Sequence, residues 1–317
     1  MSMAILPWRH GVRLGLDIAP DALVVVRVRD RGGRLTVLES RAEPLPSGVL
    51  AVSPIEPNVI APEEFSRALR AVVGEGTDGP VAVSLPDPVA RVSLFDVAQL
   101  PAQARDVERL VRWHLEKTFS VELPSARLIH QRYHRSDGEP GHRMLASAVA
   151  LPVLTQYERL LMDAGLEPRV MDLSSFHRFN LYRSRMTRLA RPDQHFIVLS
   201  SSAAALTFLL FEGGTPAYLR IKGTRKPLVG PDAVDRILDE VEISLNAYGK
   251  EKDLSRVTHL FVAALDAADE LAARLQARFH LTVHVLGASD VGVQAGHGLE
   301  SIGFSRASAA LGAAAER

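Results

Sequence analysis

The sequence predicts an α/β protein made of two similar halves around a cleft, and three observations point there. A three-strand β-meander opens the chain, and a second one opens near residue 196. Each is followed by alternating helices and strands rather than by further hairpins, the pattern of layered α/β architecture. No stretch approaches the roughly 18 consecutive apolar residues of a spanning helix.

Val12 to Ile18, Leu23 to Arg29 and Leu35 to Ala42 form the first meander. The first two are joined at Pro20 and Asp21, which bend the chain. The last two are joined through DRGGR, where Gly32 and Gly33 supply the positive φ angles of a hairpin turn. The proline-punctuated stretch from Pro44 to Pro62 is a long connection. Phe65, Leu69, Val72 and Val73 then fall at helical spacing within a helix from Glu63 to Gly74. Val81 to Asp87 reads as a buried strand and Arg91 to Val97 as another, separated by a Pro-Asp-Pro break.

Gln103 to Phe119 is the clearest amphipathic helix, with Val107, Leu110, Val111, His114 and Leu115 on one stripe. Strands at Ala126 to Arg135 and Met144 to Leu151 flank the loop SDGEPGH. A helix over Leu151 to Ala164, a strand over Glu167 to Leu173 and a helix to Arg183 follow, the last capped by Ser174 or Ser175. The boundary between halves is expected near Ala190. This gives a first half over 1–190 and a second over 191–317.

The second meander spans Phe196 to Leu199, Ala205 to Phe211 and Thr215 to Ile221, with Gly213 and Gly214 turning its last hairpin. A helix over Asp232 to Tyr248, a strand over Val257 to Ala264, a helix over Ala267 to Phe279 and a strand over Leu281 to Leu286 complete the repeat. The glycine-rich stretch Gly287 to Gly303 reads as a flexible connection. The small-residue helix Arg306 to Ala315 is expected to pack back on the first half.

Composition excludes several classes of function. The chain has 317 residues, 47% hydrophobic and 23% charged, with zero formal net charge. That is enough for two moderate cores and argues against a broad nucleic-acid-binding face. The absence of cysteine removes disulfides, thiolate metal sites and cysteine nucleophiles, and fits a reducing compartment. MSMAILPWRHGVRLG has too short an apolar run for a signal peptide, so a cytoplasmic location is expected. His130 and His134 are four residues apart on a strand, too far for one metal ion, and no third ligand is evident; no metal site is expected. Gly292, Gly296, Gly298 and Gly303 do not follow a strand in a dinucleotide-binding pattern. Asp239, Glu240 and Glu242 read as a solvated helix face.

Several stretches, in order, resemble one family. They are LGLDIAPDALVVV at Leu14 to Val26, LPSGVLAVSPIEPNVIAPEEFSRAL at Leu45 to Leu69, and SLPDPVARVSLFDVAQLP at Ser84 to Pro101. VRWHLEKTFSVELPSARLIHQRY at Val111 to Tyr133 and AGLEPRVMDLSSFHRFNLYR at Ala164 to Arg183 continue the series. Together they resemble the type IV pilus assembly protein PilM, of the actin-like group that also contains FtsA. The resemblance implies an actin-like, ribonuclease H-like duplicated fold with the family's own inserted subdomain at about 86–149. It also implies a scaffold on the cytoplasmic side of the inner membrane that binds the N-terminal tail of a PilN-like membrane protein. Several family members bind ATP in the cleft, so the alternative is an ATP-binding switch or ATPase using ATP with magnesium.

The residues at the family's nucleotide loops argue for the scaffold. At the first phosphate loop, Asp17 is present, but Ala19 stands where glycine is common, Pro20 offers no N–H, and Asp21 would face a phosphate with like charge. Asp17 also reads simply as a turn acid satisfied by nearby amides. At the second loop, Ser200, Ser201 and Ser202 keep hydroxyls, without the acid and glycine. At the nucleoside loop the chain reads Val262, Ala263, Ala264, Leu265, Asp266 in place of a Ser-Gly-Gly turn. No bound cofactor and no ATP hydrolysis are therefore expected. For the partner, the expected groove lies between the strand Arg91 to Val97 and the helix Val107 to Phe119, lined by Leu94, Phe95, Leu110, Trp113 and Phe119. Each of these also reads as packing between subdomains. Arg109 and Arg112 read as a solvated face that an acidic group could meet.

Overall fold

In the computed structural model, residues 12–31, 34–74, 76–123, 125–135, 138–191, 193–224, 228, 232–250, 252–263, 268–294 and 298–316 are described. The Gly32–Gly33 turn and the nucleoside-loop residues 264–267 lie outside them. Two five-stranded mixed sheets carry the fold. The first runs β3 (Arg34–Pro44), β2 (Ala22–Arg31), β1 (Val12–Ala19), β4 (Gly79–Leu85), β8 (Leu166–Leu173). The second repeats that order as β11 (Thr215–Gly223), β10 (Ala205–Glu212), β9 (His195–Ser201), β12 (Val257–Ala263), β13 (Thr282–Val285). The central strands are buried on both faces, which is why β1, β9 and β10 read as nearly continuous apolar runs rather than as alternation.

Helices α1 (Pro62–Val73) and α3 (Leu151–Met162) cover the outer face of the first sheet. There Phe65, Leu69, Tyr157 and Leu161 pack on Leu16, Ile18, Val81 and Val83. Helices α5 (Ala233–Gly249) and α6 (Ala268–Phe279) cover the outer face of the second in the same way, with Ile237, Val241, Leu271 and Leu275 on Ile197, Leu199 and Leu260.

The two inner faces are covered crosswise. Helix α4 (Ser174–Leu189), which follows the first sheet in the chain, buries Tyr182 and Met186 against Phe196, Val198 and Phe261 of the second. Helix α8 (Phe304–Ala315), at the end of the chain, buries Ala307, Ala310, Leu311 and Ala314 against Val24, Val26 and Val28 of the first. The two helices also pack on each other. The small side chains of α8 permit this: a Cβ at Gly15 of β1 would lie 1.9 Å from Ala310 O, and one at Gly312 would lie 2.4 Å from His177 O. Glycine at both positions is a requirement of backbone approach.

A third, antiparallel sheet is inserted between β4 and α3, in the order β5 (Arg91–Val97), β7 (His142–Ala150), β6 (Ala126–His134). Helix α2 (Ala104–Phe119) lies on one of its faces, with Val111 and Leu115 against Met144, Ala146 and Ala148. Arg143 joins this subdomain to the second half. It pairs bidentately with Asp96 at 2.8 and 2.9 Å and lies 3.8 Å from Glu212.

Two expectations need correction. The described parts of the stretch 287–303, residues 287–294 and 298–303, are fastened to their neighbours rather than forming a flexible connection. Gln294 exchanges backbone hydrogen bonds with β3 through Val37 N and Leu35 O, Arg185 binds Asp290 at 2.9 Å, and α7 (Leu299–Ile302) turns the chain into α8. Glu240 is not part of a solvated face: it pairs with Arg220 of β11 at 2.5 Å, while Asp239 and Glu242 both meet Arg278. Among the described residues no helix is long and apolar enough to cross a membrane.

Candidate functional site

The β1–β2 hairpin, the end of β4, the start of α4 and the β9–β10 hairpin converge on the seam between the halves. At the tip of the first hairpin, Ala19 pairs with Ala22 across Pro20 and Asp21. The Asp21 carboxylate is held by Arg306 of α8 at 2.8 Å, and its carbonyl accepts Leu45 N at 2.9 Å. The tip is thus tied to α8 and to the strand exit of β3, and Pro20 contributes no donor.

Asp17 lies below the tip, 4% exposed. Ser174 Oγ is 3.0 Å from its Oδ1 and 2.9 Å from Leu85 O, and Arg178 approaches at 4.0 Å. Burial pushes the Asp17 carboxyl above the usual aspartate range, against the opposing pull of Arg178 and Ser174. The one Ser174 hydroxyl proton is shared between two acceptors, the Asp17 carboxyl and Leu85 O.

Asp87 is the centre of the seam, and the sequence showed it only as the middle of a Pro-Asp-Pro break. It opens the helical turn Asp87–Val89 after β4 and is 2% exposed. One carboxylate oxygen accepts Ser175 N at 3.0 Å, supplying the acceptor that the first turn of α4 lacks. The other accepts the Thr207 hydroxyl of β10, across the interface. A buried acid directly after a buried strand was the available signal. Its partners, 88 and 120 residues away, were not.

In the second hairpin the three serines have different fates. Ser202 closes its own turn: its Oγ accepts Ala204 N and Ala205 N at 3.2 Å, and its N–H goes to Ala205 O at 2.9 Å. Three backbone donors of this turn, Ser202, Ala204 and Ala205 N, are therefore already engaged. Ser200 and Ser201 are buried on β9. Ser200 is the register partner of Thr207, and its Oγ has no hydrogen-bond partner among the described residues. Beside this hairpin an open pocket of about 590 Å³ is lined by Leu206, Lys222, Thr224, Arg236 and Glu240.

The five residues expected to form one partner groove are divided among three places. Phe95 lies partly buried beneath α2, with its ring stacked on His114 at 3.7 Å, and Phe119, the last residue of α2, is partly buried in the same cluster. Leu94 points to the opposite face of the sheet, where it pairs with Leu145. Trp113 is 57% exposed on the outer side of α2, with Lys117 over its ring at 5.0 Å, and Leu110 is half-buried. Arg109 pairs with Asp106, and Arg112 donates to Leu123 O and lies 3.7 Å from Glu108. Strand β6 is an edge strand with most of its residues exposed, Ile129 at 59%, His130 and His134 among them.

No family profile and no curated protein sequence matches the chain. Solved structures do. A chain of a PilM–PilN type IV pilus biogenesis complex is similar with a TM-score of 0.75 at 19% identity, over 95% of this chain and 97% of that one. A Bacteroides thetaiotaomicron protein with an actin-like ATPase fold and unknown function is similar with a TM-score of 0.53 at 9% identity, over 87% of this chain and 91% of that one. The fold is the actin-like ATPase fold, with two mixed sheets and a small antiparallel sheet.

Proposed function

We propose that this actin-like protein is a cytoplasmic scaffold of a type IV pilus or related secretion complex at the inner membrane, where it binds the N-terminal tail of a PilN-like membrane protein. The observation that carries this reading is the end-to-end likeness to a chain of the PilM–PilN complex. Coverage of 95% takes in the inserted subdomain as well as both halves. The seam supports a binding role over hydrolysis. Asp21 is neutralised by Arg306, Asp87 is engaged by Ser175 and Thr207, and the Ser202 turn uses its own amides, so few groups are left to hold a phosphate or a metal-bound water.

The subdomain offers a tail peptide two apolar surfaces. One is the β6 edge with Ile129, on the sheet face that also carries Leu145 of β7 and Leu94 of β5, where a strand could add by main-chain hydrogen bonds. The other is the outer side of α2 with Leu110 and Trp113. Fluorescence anisotropy with a labelled PilN-type tail peptide tests the reading. The wild type binds, and either Leu94→Asp or Trp113→Ala weakens binding tenfold or more, about 1.4 kcal/mol. No binding by the wild type refutes the function, and binding that both variants leave unchanged refutes the surface.

The pocket lined by Lys222, Thr224, Arg236 and Glu240 favours a second reading, a nucleotide switch. A rise in thermal stability with ATP and magnesium, of the size mass action requires for micromolar binding, would decide for it.

A further inference from the structure

Beside the seam, in the same register row of the first sheet as Asp17, three ligand-bearing side chains from distant parts of the chain meet. Asp172 ends β8, His177 lies in the first turns of α4, and Glu316 follows α8. One ligand atom of each lies within 4.8 Å of the others. His177 is fully buried, and its Nε2 is 2.9 Å from Glu316 Oε2. Asp172 Oδ1 accepts Leu173 N at 2.7 Å, which fixes the direction of its carboxylate. Arg13 donates to Ala315 O and Glu316 O at 3.4 and 3.3 Å, so the end of α8 is fastened to β1.

The other ring nitrogen supplies a second, independent observation. Ser84 Oγ lies 2.7 Å from His177 Nδ1 and 3.0 Å from Ala309 O. The hydroxyl has one proton and the carbonyl can only accept. Both contacts are hydrogen bonds when Ser84 donates to Ala309 O and receives Nδ1–H from His177. That assignment leaves the Nε2 lone pair directed at the Glu316 carboxylate. Two acceptors at 2.9 Å repel unless a positive charge lies between them. A divalent cation there meets both carboxylates and takes the imidazole as a neutral ligand. A histidine whose remote N–H is held by a second residue is the arrangement metal sites use to fix the tautomer and aim the ring.

We propose that Asp172, His177 and Glu316 form a binding site for a divalent transition-metal cation of the zinc type, with Ser84 positioning the imidazole. One nitrogen and two carboxylate oxygens suit such an ion, at bond lengths of about 2.0–2.2 Å. The side chain of Glu316 is 29% exposed, which gives the ion a path from solvent. Bound there, the ion ties the C-terminal end of α8 to β8 and α4 and so fastens the crosswise helix arrangement to the first sheet.

The test uses the full chain stripped with chelator and titrated with Zn2+, with Mg2+ in parallel, reading bound metal per chain and thermal stability. The expected result is one Zn2+ per chain, a raised melting temperature, and at least tenfold weaker binding of Mg2+. Glu316→Gln, at a partly exposed helix end, keeps the fold and weakens Zn2+ at least tenfold, as does Asp172→Asn. Ser84→Ala weakens it about tenfold, the range seen for outer partners of metal ligands. Absence of stoichiometric Zn2+ overturns the site. Binding that survives both Glu316→Gln and Asp172→Asn also overturns it, and locates the metal elsewhere on the chain.

Discussion

Replacing Gly15 by alanine tests the central claim about how the halves are joined, that α8 lies against β1 at backbone distance. The added Cβ would meet Ala310 O at 1.9 Å, and Ala310 C and Ala314 N at 2.9 Å. All three are backbone atoms, so no side-chain rotation relieves the contact. Ordinary contact needs β1 and α8 to separate by on the order of 1.5 Å. The helix has no slack toward α4, where Gly312 already approaches His177 O. Overpacking usually costs about 1–3 kcal/mol, and a clash with backbone on both sides belongs at the upper end, about 3 kcal/mol. That is roughly a hundredfold change in the folded-to-unfolded ratio. Urea unfolding followed by far-ultraviolet circular dichroism measures it. Gly287→Ala is the control: Gly287 is extended, with φ of −143°, and nothing lies within 4 Å of its added Cβ. It should stay within about 0.5 kcal/mol of wild type. If Gly15→Ala is equally silent, the close approach of α8 to β1 is wrong.

Two further outcomes follow from the seam. Asp87→Ala removes the acceptor for Ser175 N and strands the Thr207 hydroxyl, so it should cost about 2–4 kcal/mol, with Asp87→Asn milder; equal, negligible losses in chemical denaturation would reject the seam as described. For Asp17 the sign is set by its raised carboxyl. The unfolded chain releases that proton near the ordinary aspartate value of about 3.9, whereas the fold retains it to higher pH. The native state therefore binds more protons in that window, and its stability falls as pH rises through the folded value. Asp17→Asn lacks this loss, so its melting temperature should gain on wild type between pH 4 and pH 7; a constant or reversed difference contradicts the burial effect.

Much of the fold could be read along the chain because its signals are local. The two meanders, the break at Pro86 to Pro88, and the periodicity of α2 each arise from neighbours within a few residues, and the repeat of their order gave the duplicated architecture. The same locality explains the misreadings. Glycine density from 287 to 303 suggested flexibility, because backbone bonds from Gln294 to β3 leave no mark in the sequence. The apolar residues of β5 and α2 suggested one groove, because spacing gives a face for each element but not which faces oppose each other.

The sequence by itself determined the order of elements and the duplicated actin-like plan. Only the tertiary structure decided the purpose of Gly15, which makes way for a helix almost 300 residues on. The pairing of Asp87 with Thr207 and the meeting of Asp172, His177 and Glu316 were decided in the same way. The reason is physical. Helices and strands are selected by short-range sterics and periodic burial, which composition records. A polar site joining remote segments exists only once sheet register and helix packing have brought its members within hydrogen-bonding distance.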